Sequence, residues 1–254
     1  MVDMERVKAT FKRITYDFRV IGGASTGLGD LMYIIATICT AFESNSKLIL
    51  SSLWLELASA CFWILGGWLM LTEMRGKGSF TAFLLITCGS ISLAVSIIFF
   101  LLDSYVTFFK WVGIGFFFGG AGVYCAGAIM FLLQALKEKG RDLIEDFPHH
   151  LYEYEIATGF LWSVGMIFSI LGNVFTLFYD VVANLSVLTI LGTICSIIGG
   201  TIMLVGSAVF VYYEYVNNRK KIEKKAETST PQYQQLPLDE ELNDIEDEID
   251  ESIF

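Results

Sequence analysis

Three polar residues stand out because of where they fall. Asp30, Glu56 and Asn173 lie inside long apolar stretches, where an ionisable or amide side chain is expensive to place. A carboxylate in such a position is held by a local partner or serves the passage of a proton or cation. As candidate intramembrane polar residues, the two acids point to a proton or cation pathway with Asn173 as a polar neighbour. The alternative is a locally paired acid, or a helix boundary at which Asp30 acts as a cap. By position, Asp30 falls near mid-depth and Glu56 nearer the outer surface, so they meet only through tilt or water.

Other chemistry-bearing patterns are sparser. Gly23-Ala24-Ser25-Thr26-Gly27 matches G-x-S-x-G, which in a hydrolase needs a strand–turn–helix elbow and a histidine base. The histidines are His149 and His150, and His149 with Glu153 has helical spacing, but two ligands do not make a metal site. Cys39, Cys61, Cys88, Cys125 and Cys195 all sit in apolar segments and read as small buried hydrophobes, not as ligands or a disulfide framework. Asn184-Leu185-Ser186 is a glycosylation sequon that abuts the membrane, so no sugar is expected there. No cofactor, metal or nucleic acid is expected as a partner.

The elements that must position these residues are membrane spans. The chain has 254 residues, 54% of them hydrophobic and only 3 of them Pro. A helix needs about 20 apolar residues to cross roughly 30 Å of hydrocarbon, and there every backbone polar group must pair within its own helix. Six stretches qualify: residues 20–42, 52–71, 80–102, 108–136, 159–178 and 185–211. The first is the least apolar. Its glycines add little, and a central Asp costs about 2.5–3.5 kcal/mol where each Leu or Ile returns about 0.3–0.6 kcal/mol. It should therefore depend on its neighbours. The fourth is long enough to tilt or protrude.

Charge sets the orientation. Ten of the 27 acids lie in residues 226–254, with no Lys or Arg among them, so the rest of the chain is neutral and the tail carries the net −10. Arg6, Lys8, Lys12, Arg13 and Arg19 precede the first span; Arg75 and Lys77, then Lys137, Lys139 and Arg141, fall in two loops. Arg219, Lys220, Lys221, Lys224 and Lys225 follow the last span. Six spans place all of these on one side, opposite Lys47 and Lys110, and the positive-inside rule makes that side cytoplasmic. Met4, Val7, Phe11, Ile14 and Phe18 share one helical face, so residues 1–19 read as a basic amphipathic helix on the inner surface, or as a cytosolic extension of the first span. Gly22 to Asp30 interrupts the apolar core that a cleaved signal peptide needs.

The spans pair as three hairpins with related features. Ile64-Leu65-Gly66-Gly67 with Met70-Leu71 parallels Ile198-Gly199-Gly200 with Met203-Leu204, and Phe118-Gly119-Gly120 occupies a comparable place. Triplication would explain this, as would chance likeness among apolar segments. Tyr152-Glu153, Ile170-Leu171-Gly172-Asn173 and Ile197-Ile198-Gly199-Gly200 resemble the YrhK-type membrane domain, chiefly over the third hairpin. The resemblance implies paired apolar helices and no particular chemistry. Gly192, Ser196 and Gly200 in the sixth span, and Gly115 and Gly119 in the fourth, have the four-residue spacing that lets helices approach closely, within one bundle or between copies in a homo-oligomer.

The tail, residues 217–254, opens with a basic collar. Lys220, Lys221, Lys224 and Lys225 suit anionic lipid at the inner surface, and Tyr212, Tyr213 and Tyr215 mark the interface. Thr228 to Pro231 reads as a flexible linker. Tyr233-Gln234-Gln235-Leu236 resembles a tyrosine-based sorting signal, with Tyr233 and Leu236 as its anchors. The acidic remainder is too short and too negative for a stable isolated helix, but it could fold on a basic cytosolic partner. The expected fold is all-α: a polytopic transmembrane bundle over residues 20–216, six spans as three hairpins, both termini cytoplasmic. The expected function is a membrane scaffold, interaction or trafficking protein without enzymatic activity, acting through its tail. The alternative is a small proton, cation or solute transporter or channel using Asp30 and Glu56.

Overall fold

A computed structural model describes residues 4–41, 46–73, 79–103, 108–138, 140, 153–182 and 186–229. Among them there are six helices and no strands: α1 (Met4–Ala41), α2 (Ser46–Glu73), α3 (Phe80–Leu102), α4 (Phe108–Glu138), α5 (Tyr154–Val182) and α6 (Ser186–Ser229). Each contains a stretch of at least 23 residues long and apolar enough to cross a membrane. α3 coincides with the expected span, because its apolar run is bounded tightly by Ser79 and Asp103. α4 ends near Gly140, whose φ of 63° lies in the left-handed region open to glycine.

The other helices overrun the expected spans, since helical hydrogen bonding does not stop where hydropathy does. α1 is unbroken from Met4, so the basic N-terminal segment continues the first span's helix. α6 likewise runs on through the basic collar and takes in Thr228 and Ser229, which the sequence placed in a linker. The chain divides into two compact units, Met1–Tyr215 and Val216–Phe254. Within the second, the backbone is helical to Ser229 and Lys220 is exposed.

In the first unit each helix packs on its neighbours in sequence. α1 lies on α2, α2 on α3, α3 on α4 and α4 on α5. Trp162 of α5 meets Ser207 and Phe210 of α6, and Gly200 of α6 comes against Tyr33 and Ile34 of α1. The helices thus form a closed ring in chain order. Small residues make the approaches close: Gly89 faces Gly120 and Tyr124 across α3 and α4, Gly22 faces Gly66 across α1 and α2, and Gly172 faces Gly192 across α5 and α6. Hydroxyls reinforce them, with Ser96 donating to the Gly113 carbonyl at 2.8 Å and Ser92 to Phe116 at 2.9 Å. In lipid, where apolar burial gives no net drive, such packing and hydrogen bonding hold helices together.

Two sequence expectations are corrected here. Gly115 and Gly119 meet nothing within 4 Å and so make no crossing within the bundle, where α4 uses Gly113, Gly120 and Gly127 against α3. The expected face of α4 was offset, because a four-residue register does not reveal which side of a helix meets its neighbour. The cysteines are not buried: Cys61 and Cys88 are exposed and Cys39, Cys125 and Cys195 are half-buried, all as free thiols. In an aqueous protein apolar residues collect inside, but here the surroundings are themselves apolar.

The bundle's exterior has the same cause. Leu28, Ile35, Leu84, Ile91, Ile98, Leu133 and Ile194 all point outward. Among the exposed aromatics, Trp54, Phe108 and Trp111 lie toward one side of the bundle and Trp68, Tyr212 and Tyr215 toward the other. Trp54 and Trp68 are about 21 Å apart along α2 at about 1.5 Å per residue. Trp and Tyr are enriched at the two membrane–water interfaces.

Candidate functional site

The ring of helices encloses a cavity of about 130 Å³. Every helix contributes to its wall, through Tyr33, Glu56, Phe100, Phe117, Asn173 and Ser196 among others. Threonines line it toward the C-terminal ends of α1 and α5, namely Thr37 and Thr40 of α1 and Thr176 of α5. Glu56 sits about 9 Å along α2 from Leu50, where that span begins. The cavity therefore occupies one half of the bundle's depth. A second hollow, between α4 and α5, shares Phe100, Phe117, Asn173 and Thr176 with it and has Lys110 on its rim.

The candidate residues divide. Glu56 and Asn173 face the same cavity. The Tyr33 hydroxyl lies among Ser169, Asn173 and Ser196, with Glu56 within electrostatic reach. Asp30 is not on this wall. It is fully buried, and both its oxygens are satisfied: Trp63 Nε1 donates to Oδ1 at 2.9 Å and Ser207 Oγ to Oδ2 at 2.8 Å. Trp162 Nε1 donates in turn to Ser207 Oγ at 3.1 Å. One carboxyl thereby ties α1, α2, α5 and α6 together. The Trp63 indole separates it from the cavity, lining that space on one side and holding Asp30 on the other. Asp30 is thus the locally paired acid, and the glycines before it have a use. Gly29 lets Trp63 approach, and a Cβ there would stand 2.6 Å from the indole. Gly66 makes room for Thr26.

Beyond this layer, toward the N-terminal end of α1, a second polar cluster joins α1, α5 and α6. Arg19 Nη1 lies 2.9 Å from Glu214 Oε1, with side chains 16% and 6% exposed. The Tyr154 hydroxyl is 3.3 Å from Glu214 Oε1 and 3.2 Å from Glu155 Oε1, and its single proton serves one at a time. Tyr154 also stacks on Tyr213 at 5.3 Å. The sequence reading ended the sixth span at Val211 and so left Glu214 outside it. Its signal was the spacing from Ser207, two helical turns, which puts both on one face of α6. A double-mutant cycle of Arg19→Gln and Glu214→Gln, read by thermal unfolding in detergent, is expected to give a coupling of about 1–2 kcal/mol. Additive losses would mean the pair contributes nothing.

Ser25 lies in unbroken helix, not at a strand–turn–helix elbow, and its hydroxyl donates to the Phe62 carbonyl at 2.9 Å. Among the described residues no three His, Cys, Asp or Glu converge as a metal set. His149, His150, the sequon's Asn184 and Leu185, and Tyr233 and Leu236 fall outside the described residues, as do the side chains of Lys221, Lys224 and Lys225.

Six helices of this length and composition are the pattern of a multi-pass membrane protein. Compared with known proteins, the chain matches no protein-family model, no curated protein and no solved structure at a significant level.

Proposed function

We propose that this chain is a small membrane transporter that binds a small monovalent cation in the central cavity, with Glu56 as the counter-charge. In this reading the six spans are three hairpins, both termini are cytoplasmic, and the cavity opens toward the outer face. The observation that carries it is an acid inside a span, facing a hydroxyl-lined space in the middle of the bundle, with no hydrogen bond or ion pair to any described residue. An ionisable residue inside a membrane marks an ion or substrate pathway by default. The layers at Asp30–Trp63–Ser207 and Arg19–Glu214 lie on the inner side of the cavity. A solute entering from outside is stopped there until helices shift, which is transporter behaviour and not that of an open channel.

Asp30 has a supporting role, fixing the helices and the indole that floors the cavity. The reading based on the acidic tail keeps its footing in sequence only, since Tyr233, Leu236 and the acids beyond lie outside the described residues.

The test is uptake of potassium, guanidinium or tetramethylammonium into liposomes containing the full-length protein. At least one is expected to enter at least tenfold faster than into protein-free liposomes, and Glu56→Gln is expected to return it to that background. Uptake that Glu56→Gln leaves unchanged would sink the proposal.

A further inference from the structure

We propose that the ligand of the Glu56 cavity is a small organic cation bearing N–H donors, a protonated primary amine or a guanidinium. This rests on the cation-binding reading above and narrows it by the hydrogen-bond character of the wall.

Several of the hydroxyl protons on that wall are used already. Thr37 donates to the Tyr33 carbonyl at 2.9 Å, Thr40 to Ala36 at 2.9 Å, Thr176 to Gly172 at 3.1 Å and Ser59 to Gly29 at 2.8 Å. A hydroxyl has one proton and two lone pairs. Once the proton is given to the backbone, what it offers the cavity is an acceptor. Asn173 gives one Nδ2 proton to the Ser169 carbonyl at 2.9 Å and keeps its amide oxygen as an acceptor. Ser169, only 4% exposed, adds a hydroxyl beside Tyr33 on the same wall, whose lone pairs can also accept. Together with the Glu56 carboxylate, these groups make the cavity rich in acceptors.

Such a wall selects a ligand that is positive and carries several donors. An ammonium offers three and a guanidinium five in a planar fork. A quaternary ammonium has the charge but no donor, so it leaves the acceptors unpaired, and unpaired polar groups away from water are costly. Calcium takes six to eight oxygens, several of them carboxylate, and magnesium needs near-ideal octahedral geometry; among the described wall residues Glu56 is the one carboxylate. The volume of about 130 Å³ accepts a cation of several heavy atoms. Tyr33, Trp63, Phe100 and Phe117 supply aromatic wall suited to a desolvated cation.

Binding of ethylammonium, guanidinium, tetramethylammonium and potassium to the full-length protein in nanodiscs, measured by calorimetry, tests this. Ethylammonium or guanidinium is expected to bind at least tenfold more tightly than tetramethylammonium and potassium, with at least a tenfold loss in Glu56→Gln. Thr37→Val and Thr176→Val, close in shape to threonine, are expected to weaken the N–H cations several-fold and leave tetramethylammonium unchanged. Unfolding temperatures close to wild type confirm that these variants fold. Tetramethylammonium or potassium binding as tightly as the N–H cations overturns the inference while leaving a cation site in place. If none of the four binds, the inference and the cation reading fail together.

Discussion

Replacing Gly89 with alanine is expected to destabilise the bundle by about 1–3 kcal/mol, and with leucine by more. A Cβ at position 89 would lie 2.6 Å from the Tyr124 backbone nitrogen, 2.7 Å from the Gly120 carbonyl oxygen and 2.8 Å from the Tyr124 Cβ. Two of these neighbours are backbone atoms, which cannot rotate away as a side-chain tip can. α3 must therefore back off from α4, and the Ser92 and Ser96 bonds to the facing carbonyls stretch with it. Tyr124 is fully buried, and its ring lies 6.0 Å from Trp63, so the shift reaches the floor of the cavity. Gly115→Ala is the control. That position meets nothing within 4 Å, and alanine is the better helix former by about 0.5–1 kcal/mol. Thermal unfolding in detergent should separate the two variants clearly, and equal stability would mean that the α3–α4 crossing is not close-packed as described.

Asp30→Ala is expected to cost about 1–3 kcal/mol, while Asp30→Asn costs less. The alanine variant strips the acceptor from the Trp63 indole N–H and from the Ser207 hydroxyl, both buried. Asparagine retains one oxygen to accept from one of these donors, and its amide can donate to a lone pair of Ser207. The two variants also separate structure from transport. Because Asp30 stands behind Trp63 and not on the cavity wall, Asp30→Asn should keep cation uptake within about threefold of wild type. A loss of uptake as complete as that from Glu56→Gln, at undiminished stability, would place Asp30 on the pathway itself.

Much of the architecture was legible because it follows from one-dimensional properties. The run from Phe80 to Leu102 is apolar, is the right length and ends at polar residues, and it became α3 unchanged. Asn173 and Glu56 were picked out as polar residues in apolar surroundings, and they share a cavity for that reason. What stayed hidden depended on residues distant in sequence. Asp30 could be seen as an acid at mid-span, but its partners are 33 and 177 residues away. The glycines at 22, 27 and 29 looked like weak hydrophobicity, whereas their worth is the approach they allow to Gly66, Ser207 and Trp63. Glu214 was placed outside the last span because the apolar run stops at Val211. A helix does not end where hydropathy does, and Glu214 packs against Arg19 and Tyr154. The threonines on the cavity wall are too common in the sequence to be noticed singly, and it is their convergence from separate helices that makes them informative.

The most direct measurement is thiol labelling of Thr37→Cys in sealed vesicles, with the five native cysteines replaced by alanine. Thr37 lines the cavity, whereas Ile38, the next residue, is exposed on the bundle's apolar exterior. An ethylammonium methanethiosulfonate reagent is expected to label Thr37→Cys at least tenfold faster than its sulfonate counterpart, to lose that preference when Glu56→Gln is added, and to leave Ile38→Cys unlabelled. An unreactive Thr37→Cys, or equal rates with the cationic and anionic reagents, would contradict a solvent-reached cavity whose field is set by Glu56.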